Sequence, residues 1–110
     1  LRLRPRAALR AEWQYRLALA HFMLKQYEQA RDWGHMAQIN NPELLWPPIH
    51  AAALVRLGSK VEGKVVLDDF LLRHSKYEIS DISQRLGGAD PRVVESRDRL
   101  IASLHEIGMR

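Results

Sequence analysis

The chain of 110 residues contains no cysteine, so it forms no disulfide framework and no thiolate metal site. That absence fits a reducing compartment and leads us to expect a cytoplasmic location. No apolar run approaches the roughly 20 residues that a membrane-spanning helix needs. The opening "LRLRPRAALR" lacks the apolar core and cleavage site of a secretory leader. Without an initiating Met, the chain reads as a piece of a longer protein. Acidic residues are missing from the first ten positions, which carry Arg2, Arg4, Arg6 and Arg10. The net charge is +4, from 17 Lys and Arg against 13 Asp and Glu, so these four arginines account for all of it. A basic end without interleaved aromatics is a poor electrostatic footprint for nucleic acid, and no nucleic-acid partner is expected.

Strand-like alternation is also missing, whereas helical spacing is plentiful. Residues 7–26 carry Leu9, Trp13, Leu17, Ala20 and Leu24 at steps of three and four, and no Gly or Pro interrupts them. These residues, Trp13 among them, are expected in the core. Residues 27–39 follow with Tyr27, Ala30, Trp33 or Gly34, and Ala37. The small side chains on that stripe admit a close neighbour. "NNPELLWPP" then puts Pro42, Pro47 and Pro48 between two helical stretches. Pro42 follows a helix end. Pro47 and Pro48 fall in the first turn of the next helix, where a missing N–H costs little. That helix ends at Gly58. Its partner presents Val61, Val65 or Val66, Phe70 and Leu71. A short helix capped by Ser80 stops at Gly87 and Gly88. The last begins with Asp90 as N-cap and Pro91 at the first helical position. It buries Val94, Ile101, Leu104 and Ile107, and stops at Gly108. The expected fold class is all-α.

The sites of common chemistries are absent from the sequence pattern. "GSKVEGK", Gly58 to Lys64, has phosphate-loop spacing, but Val65 stands where Ser or Thr must hold Mg²⁺, and a helix precedes it instead of a strand. His21, His35, His50, His74 and His105 include no pair four apart, so no H-E-x-x-H site exists. Asp68 and Asp69 are adjacent and diverge by about 100° on a helix. No G-x-S-x-G occurs. We therefore expect no catalytic residue, no cofactor and no metal site.

"LALAHFMLKQYEQARDWGHMAQINNP" resembles the tetratricopeptide repeat through Leu17, Ala18, Leu24, Tyr27, Ala30, Ala37 and Pro42. The second unit, "WPPIHAAALVRLGSKVEGKVVLDDFLLRHS", matches at Ala51, Leu57 and Gly58. It departs from the pattern at Gly63, Phe70 and Ser75. "RLRP" resembles the end of a preceding repeat, with Pro5 as its terminal proline. The resemblance implies one domain, 1–110, of antiparallel helix hairpins stacked as a short right-handed superhelix. Its parts would be a repeat at 7–42, a degenerate repeat at 44–75 and closing helices at 76–110. With "DP…L…L…IG" at its end, the chain is similar to the C-terminal region of bacterial proteins in which such repeats follow a class III adenylate/guanylate cyclase domain or a winged-helix domain. This implies a protein–protein interaction module in a signalling or regulatory protein, or the regulatory tail of a cyclase whose catalytic domain lies outside the chain. The partner would be a protein or peptide, or a second copy. The concave face implied by the repeats offers Tyr15, Arg16, Leu19 and Met23 with Ile49 and Arg56, beside Glu12, Phe22, Ala52 and Val55. The family's carboxylate clamp is absent, since Tyr15 and Leu19 occupy its positions. The competing reading is that the apolar members are core contacts between adjacent helices. Trp46 either packs between repeats or forms a rim of the groove.

Overall fold

Proline and glycine mark three of the turns, at 42–48, 58 and 87–88, and runs of helix formers fill the intervals. The computed structural model describes residues 6–43, 45–88 and 90–110, with side chains from Arg10 onward. The arginines at 2 and 4, Pro5, and the side chains of Arg6 and Leu9 lie outside the described residues. Six helices follow in order: α1 (Arg6–Met23), α2 (Tyr27–Asn40), α3 (Ile49–Arg56), α4 (Lys60–Arg73), α5 (Ile79–Arg85) and α6 (Pro91–Glu106). No strand occurs among the described residues, and the fold class is all-α.

The α1–α2 and α3–α4 turns share one geometry. After α3, Gly58 takes φ 89°, and the Ser59 N–H reaches back to the Leu54 carbonyl at 2.8 Å. After α1, Lys25 stands at φ 62°, and the Gln26 N–H reaches the His21 carbonyl at 2.8 Å. Both turns satisfy orphan carbonyls at a helix end through a left-handed residue. Lys25 holds that conformation with a side chain, at a cost glycine avoids. α2 and α4 are each 14 residues long, and equivalent positions pair as Lys25 with Gly58, Ala30 with Gly63, and Ala37 with Phe70.

Two helix starts differ from expectation. Pro47 and Pro48 precede α3 rather than forming its first turn. Pro48 is the N-cap, its carbonyl accepting from the Ala52 N–H at 3.2 Å. α5 begins at Ile79, with Glu78 and not Ser80 at its cap, and the Glu78 N–H donates to Asp81 Oδ2 at 2.7 Å. The start of α6 is as expected: Asp90 Oδ1 accepts from the Arg92 N–H at 2.9 Å, and Pro91 follows the cap.

α3 lies at the centre, with Ile49 and residues 51–55 buried. α2, α4 and α6 pack on it, and α1 touches it. Such crowding requires small side chains. A Cβ on Gly34 would stand 3.1 Å from the His50 backbone nitrogen, and one on Gly63 would stand 3.1 Å from the Ala51 carbonyl oxygen. The expected small stripe of α2 is indeed the buried one, comprising Ala30, Gly34 and Ala37.

The same demand overturns the expected stripe of α1. Its buried side is Ala11, Gln14, Tyr15, Ala18 and Phe22, while Trp13 is 69% exposed and Leu24 is exposed. Large apolar residues occur on both sides of α1, so periodicity alone did not select the face, and the close approach of α2 did. Trp33 is half-buried against the core. α4 turns Gly63, Leu67 and Phe70 inward, leaving Val61 82% exposed and Val65 outside as well. α6 buries Leu100, Leu104 and Ile107, with Ile101 partly covered and Val94 at an intermediate position.

Filling the Gly34 contact is expected to destabilise the fold although Gly is a poor helix former. Gly34→Val should cost about 1–3 kcal/mol through overpacking against the α3 backbone. For a chain near 100 residues, that lowers Tm by at least about 4 °C. An unchanged thermal melt would contradict the α2–α3 contact.

Candidate functional site

The anticipated groove residues do not form an open surface. Tyr15 is buried and stacks on Trp46, with ring centroids 5.6 Å apart and planes 9° from parallel. Burial pushes its hydroxyl pKa up to about 12. Ile49, Phe22, Ala52 and Val55 are core residues, and Leu19 is half-buried between two apolar clusters. Met23 is half-buried, Glu12 partly exposed and Arg16 exposed. Trp46 is buried and packs between elements. The placement of Tyr15 and Ile49 as groove lining is therefore corrected: both are enclosed by neighbouring helices, the competing reading of such a stripe.

α6 takes part in that enclosure. It packs chiefly on α3 and also reaches α1. Arg56 is directed at it, donating from Nε to Ser103 Oγ at 2.7 Å and from Nη2 to the Arg99 carbonyl at 3.2 Å. Arg99 extends the other way. Its Nη1 donates to the Phe22 carbonyl at 2.7 Å and to the Tyr27 hydroxyl at 3.0 Å. Nε and Nη2 hold the Glu95 carboxylate at 3.0 and 2.6 Å. The guanidinium thus sits at the C-terminal end of α1, where orphan carbonyls and the helix dipole both favour a cation. Its side chain is only 9% exposed.

Exposed apolar side chains stand on α2 and α4. Between α2 and α4 is a hollow of about 380 Å³ whose walls are Ile39, Pro42, Val65 and Val66. Ile39 is 63% exposed and Val65 64%. A second hollow, of about 600 Å³, lies on the far side of Val65, bounded by Val61, Ile107 and Gly108. The surrounding charges are mutually paired: Lys60 with Glu106 at 2.9 Å, Lys64 with Asp68 at 3.6 Å, and Arg73 with Asp69 at 3.4 Å. His50 also lines the first hollow, its ring 4.8 Å from that of His35. Its Nδ1 is buried without a partner. Burial first, then the charges of His35 and Arg31, push its pKa down to about 4.

Sequence reasoning placed Val61, and Val65 or Val66, in the core and did not single out Ile39; Val66 packs against the core and Val65 does not. The available signal was surplus: α4 has Val61, Val65, Val66, Leu67, Phe70, Leu71 and Leu72, more apolar residues than one stripe accommodates. Among the described residues no group of three or more His, Asp or Glu side chains is placed to hold a metal. No described helix is long and apolar enough to cross a membrane. Compared with protein-family models, curated proteins and solved structures, the chain finds no match in any of the three.

Two outcomes test this geometry. Arg99→Ala should destabilise the chain by about 2–3 kcal/mol, because buried carbonyls lose a charged donor. Arg99→Lys should recover little of it, since one ammonium cannot reproduce the fork. Chemical denaturation measures both, and a neutral Arg99→Ala would contradict the described network. The second outcome concerns pH. His50 is held neutral in the fold but takes a proton near pH 6.5 when unfolded. Its contribution is therefore complete above that value and is lost as pH falls towards 4. Melting temperatures between pH 7 and pH 4 should decline more steeply for the wild type than for His50→Leu. Parallel declines would mean that His50 is not the group responsible.

Proposed function

We propose that the chain is a protein–protein interaction module of the tetratricopeptide type, without catalytic activity of its own, at the C-terminal end of a cytoplasmic bacterial signalling or regulatory protein. We further propose that its partner binds the outer α2–α4 surface instead of the inner face. One observation carries the choice of surface: Ile39, Val61 and Val65 stand exposed around two adjoining hollows on helices that are otherwise charged. Exposed apolar surface rimmed by polar residues marks an interaction site. The quoted repeat residues, the equal lengths of α2 and α4 and the shared turn geometry support the repeat reading.

The surface also indicates what the partner presents. Three basic and three acidic rim side chains are already paired, so selection by charge is weak. An amphipathic helix placing an apolar side chain into the hollow on either side of Val65 meets this description. The test is affinity capture with the wild-type chain, followed by titration of the purified partner against Val65→Asp, Ile39→Asp and Arg16→Glu. All three positions are exposed, so thermal melts should agree. The first two substitutions should weaken Kd by at least about tenfold, or 1.4 kcal/mol, and the third should leave it unchanged. Loss confined to Arg16→Glu would return the site to the inner face. A captured partner that proves to be a second copy of the chain would replace recognition by self-association.

A further inference from the structure

A third hollow has a different character from the apolar pair. It measures about 640 Å³ and lies between the proline-rich segment, the α4–α5 turn and α5. Leu45, Lys76, Tyr77, Asp81, Gln84 and Arg85 line it. Its volume is in the range of small-ligand sites, and its lining mixes an apolar floor with a few polar groups.

Several of those groups are donors without a matching acceptor. Arg85 lies 4.7 Å from the centre of the Trp46 ring, whose neighbour Tyr15 stacks parallel to it. Its one hydrogen bond among the described residues goes from Nη2 to the Leu45 carbonyl at 3.3 Å, and no carboxylate pairs with it. Lys76 likewise has no ion pair among the described residues. Tyr77 is 8% exposed, and its hydroxyl is buried without any hydrogen-bond partner. Leaving such a group unpaired costs about 1–3 kcal/mol. A ring edge-on to Phe70 at 5.3 Å fixes its position. His74 is also at the rim, but its Nε2–H is given to the Pro42 carbonyl at 3.2 Å. Asp81 is the one acid in the lining, and one of its oxygens accepts from the Glu78 N–H.

We infer that this hollow binds a small organic carboxylate, with Arg85 and Lys76 holding the oxyanion, and Leu45 and the Tyr77 ring lining its apolar body. The charge balance chooses the class. Lys76 and Arg85 against Asp81 leave one positive charge, which a monoanion neutralises and a dianionic phosphate exceeds. The guanidinium, lying over the Trp46 ring, suits a planar carboxylate because its fork offers two parallel donors. This inference stands apart from the outer α2–α4 surface and survives if that reading fails.

Benzoate is the probe, benzamide its neutral counterpart, and inorganic phosphate the competing anion. In an amide-resolved NMR titration, benzoate should give saturable shifts at Tyr77, Gln84, Arg85 and the Trp46 indole. Arg85→Gln should weaken benzoate binding by about tenfold or more, as expected when a charged hydrogen-bonding partner is removed. Lys76→Gln removes an exposed cation with no ion pair among the described residues, so it should reduce affinity severalfold without lowering Tm. An unchanged affinity for Lys76→Gln would overturn its assignment to the ligand. Absence of saturable shifts, or shifts indifferent to Arg85→Gln, would overturn the site. Equal binding of benzamide would overturn the role of charge, and tighter binding of phosphate would overturn the carboxylate class.

Discussion

Close approach to α3 is the constraint on which the rest of the molecule depends. This helix has eight residues, and neighbours cover nearly all of it. A helix so short cannot be stable through its own hydrogen bonds, since isolated helices below about 12 residues are marginal in water. It is held by α2 and α4 pressing on it through Gly34 and Gly63, where their backbones come close to its own. Its alanines at 51–53 are the other half of that fit. The arrangement exchanges large side chains for proximity, so the burial of the hairpins rests on many small contacts. Larger side chains are then displaced to positions where space is available: Phe22 and Tyr27 pack edge to face, Tyr15 and Trp46 stack, and Phe70 meets Tyr77 edge-on.

The second consequence is a division between a surface of α1 and α3 engaged by α6 and a surface of α2 and α4 with exposed apolar side chains. α6 contributes Leu100 and Leu104 to the core while Arg99 and Ser103 make polar links to α1 and α3. Ser103 both accepts from Arg56 and donates to the Arg99 carbonyl, so a buried hydroxyl is fully used. On α4, Lys60, Lys64, Asp68, Asp69 and Arg73 are engaged in ion pairs, while Val61, Val65 and Leu72 stand exposed. The same amino-acid types that suggested a groove, Tyr and Arg, serve here in internal stacking and helix capping. Their reputation as interface anchors follows from being large, amphipathic and strongly hydrogen bonding, and those properties work equally well inside one chain.

Much of the fold was legible in the sequence. Ala30, Gly34 and Ala37 identified the close-packed side of α2, and Asp90 with Pro91 fixed the start of α6. These signals are local: each depends on residues within a turn or two. The face of α1 was not legible, because Trp13, Leu17 and Leu24 compete with Ala11, Ala18 and Phe22 for the same periodicity, and only the position of α2 decides between them. Val61 and Val65 misled for a related reason. A hydrophobicity pattern records that a residue is apolar, whereas glycine at 63 records where another backbone passes, and the second fact governs the packing. The hollow around Tyr77 left no trace in the sequence, since Leu45, Tyr77 and Arg85 belong to separate segments.

Arg99 has a consequence for the order in which the molecule assembles. Its bond to the Phe22 carbonyl joins residues 77 apart, whereas each hairpin closes over a turn of a few residues. Closing a long loop costs more chain entropy than closing a short one, and the cost is recovered only once the distant contact forms. Closure of the α1–α2 and α3–α4 pairs therefore costs less chain entropy than docking α6 onto α1. The clasp that makes the first and last helices interdependent in the finished fold is also the contact whose formation requires most of the chain to be in place.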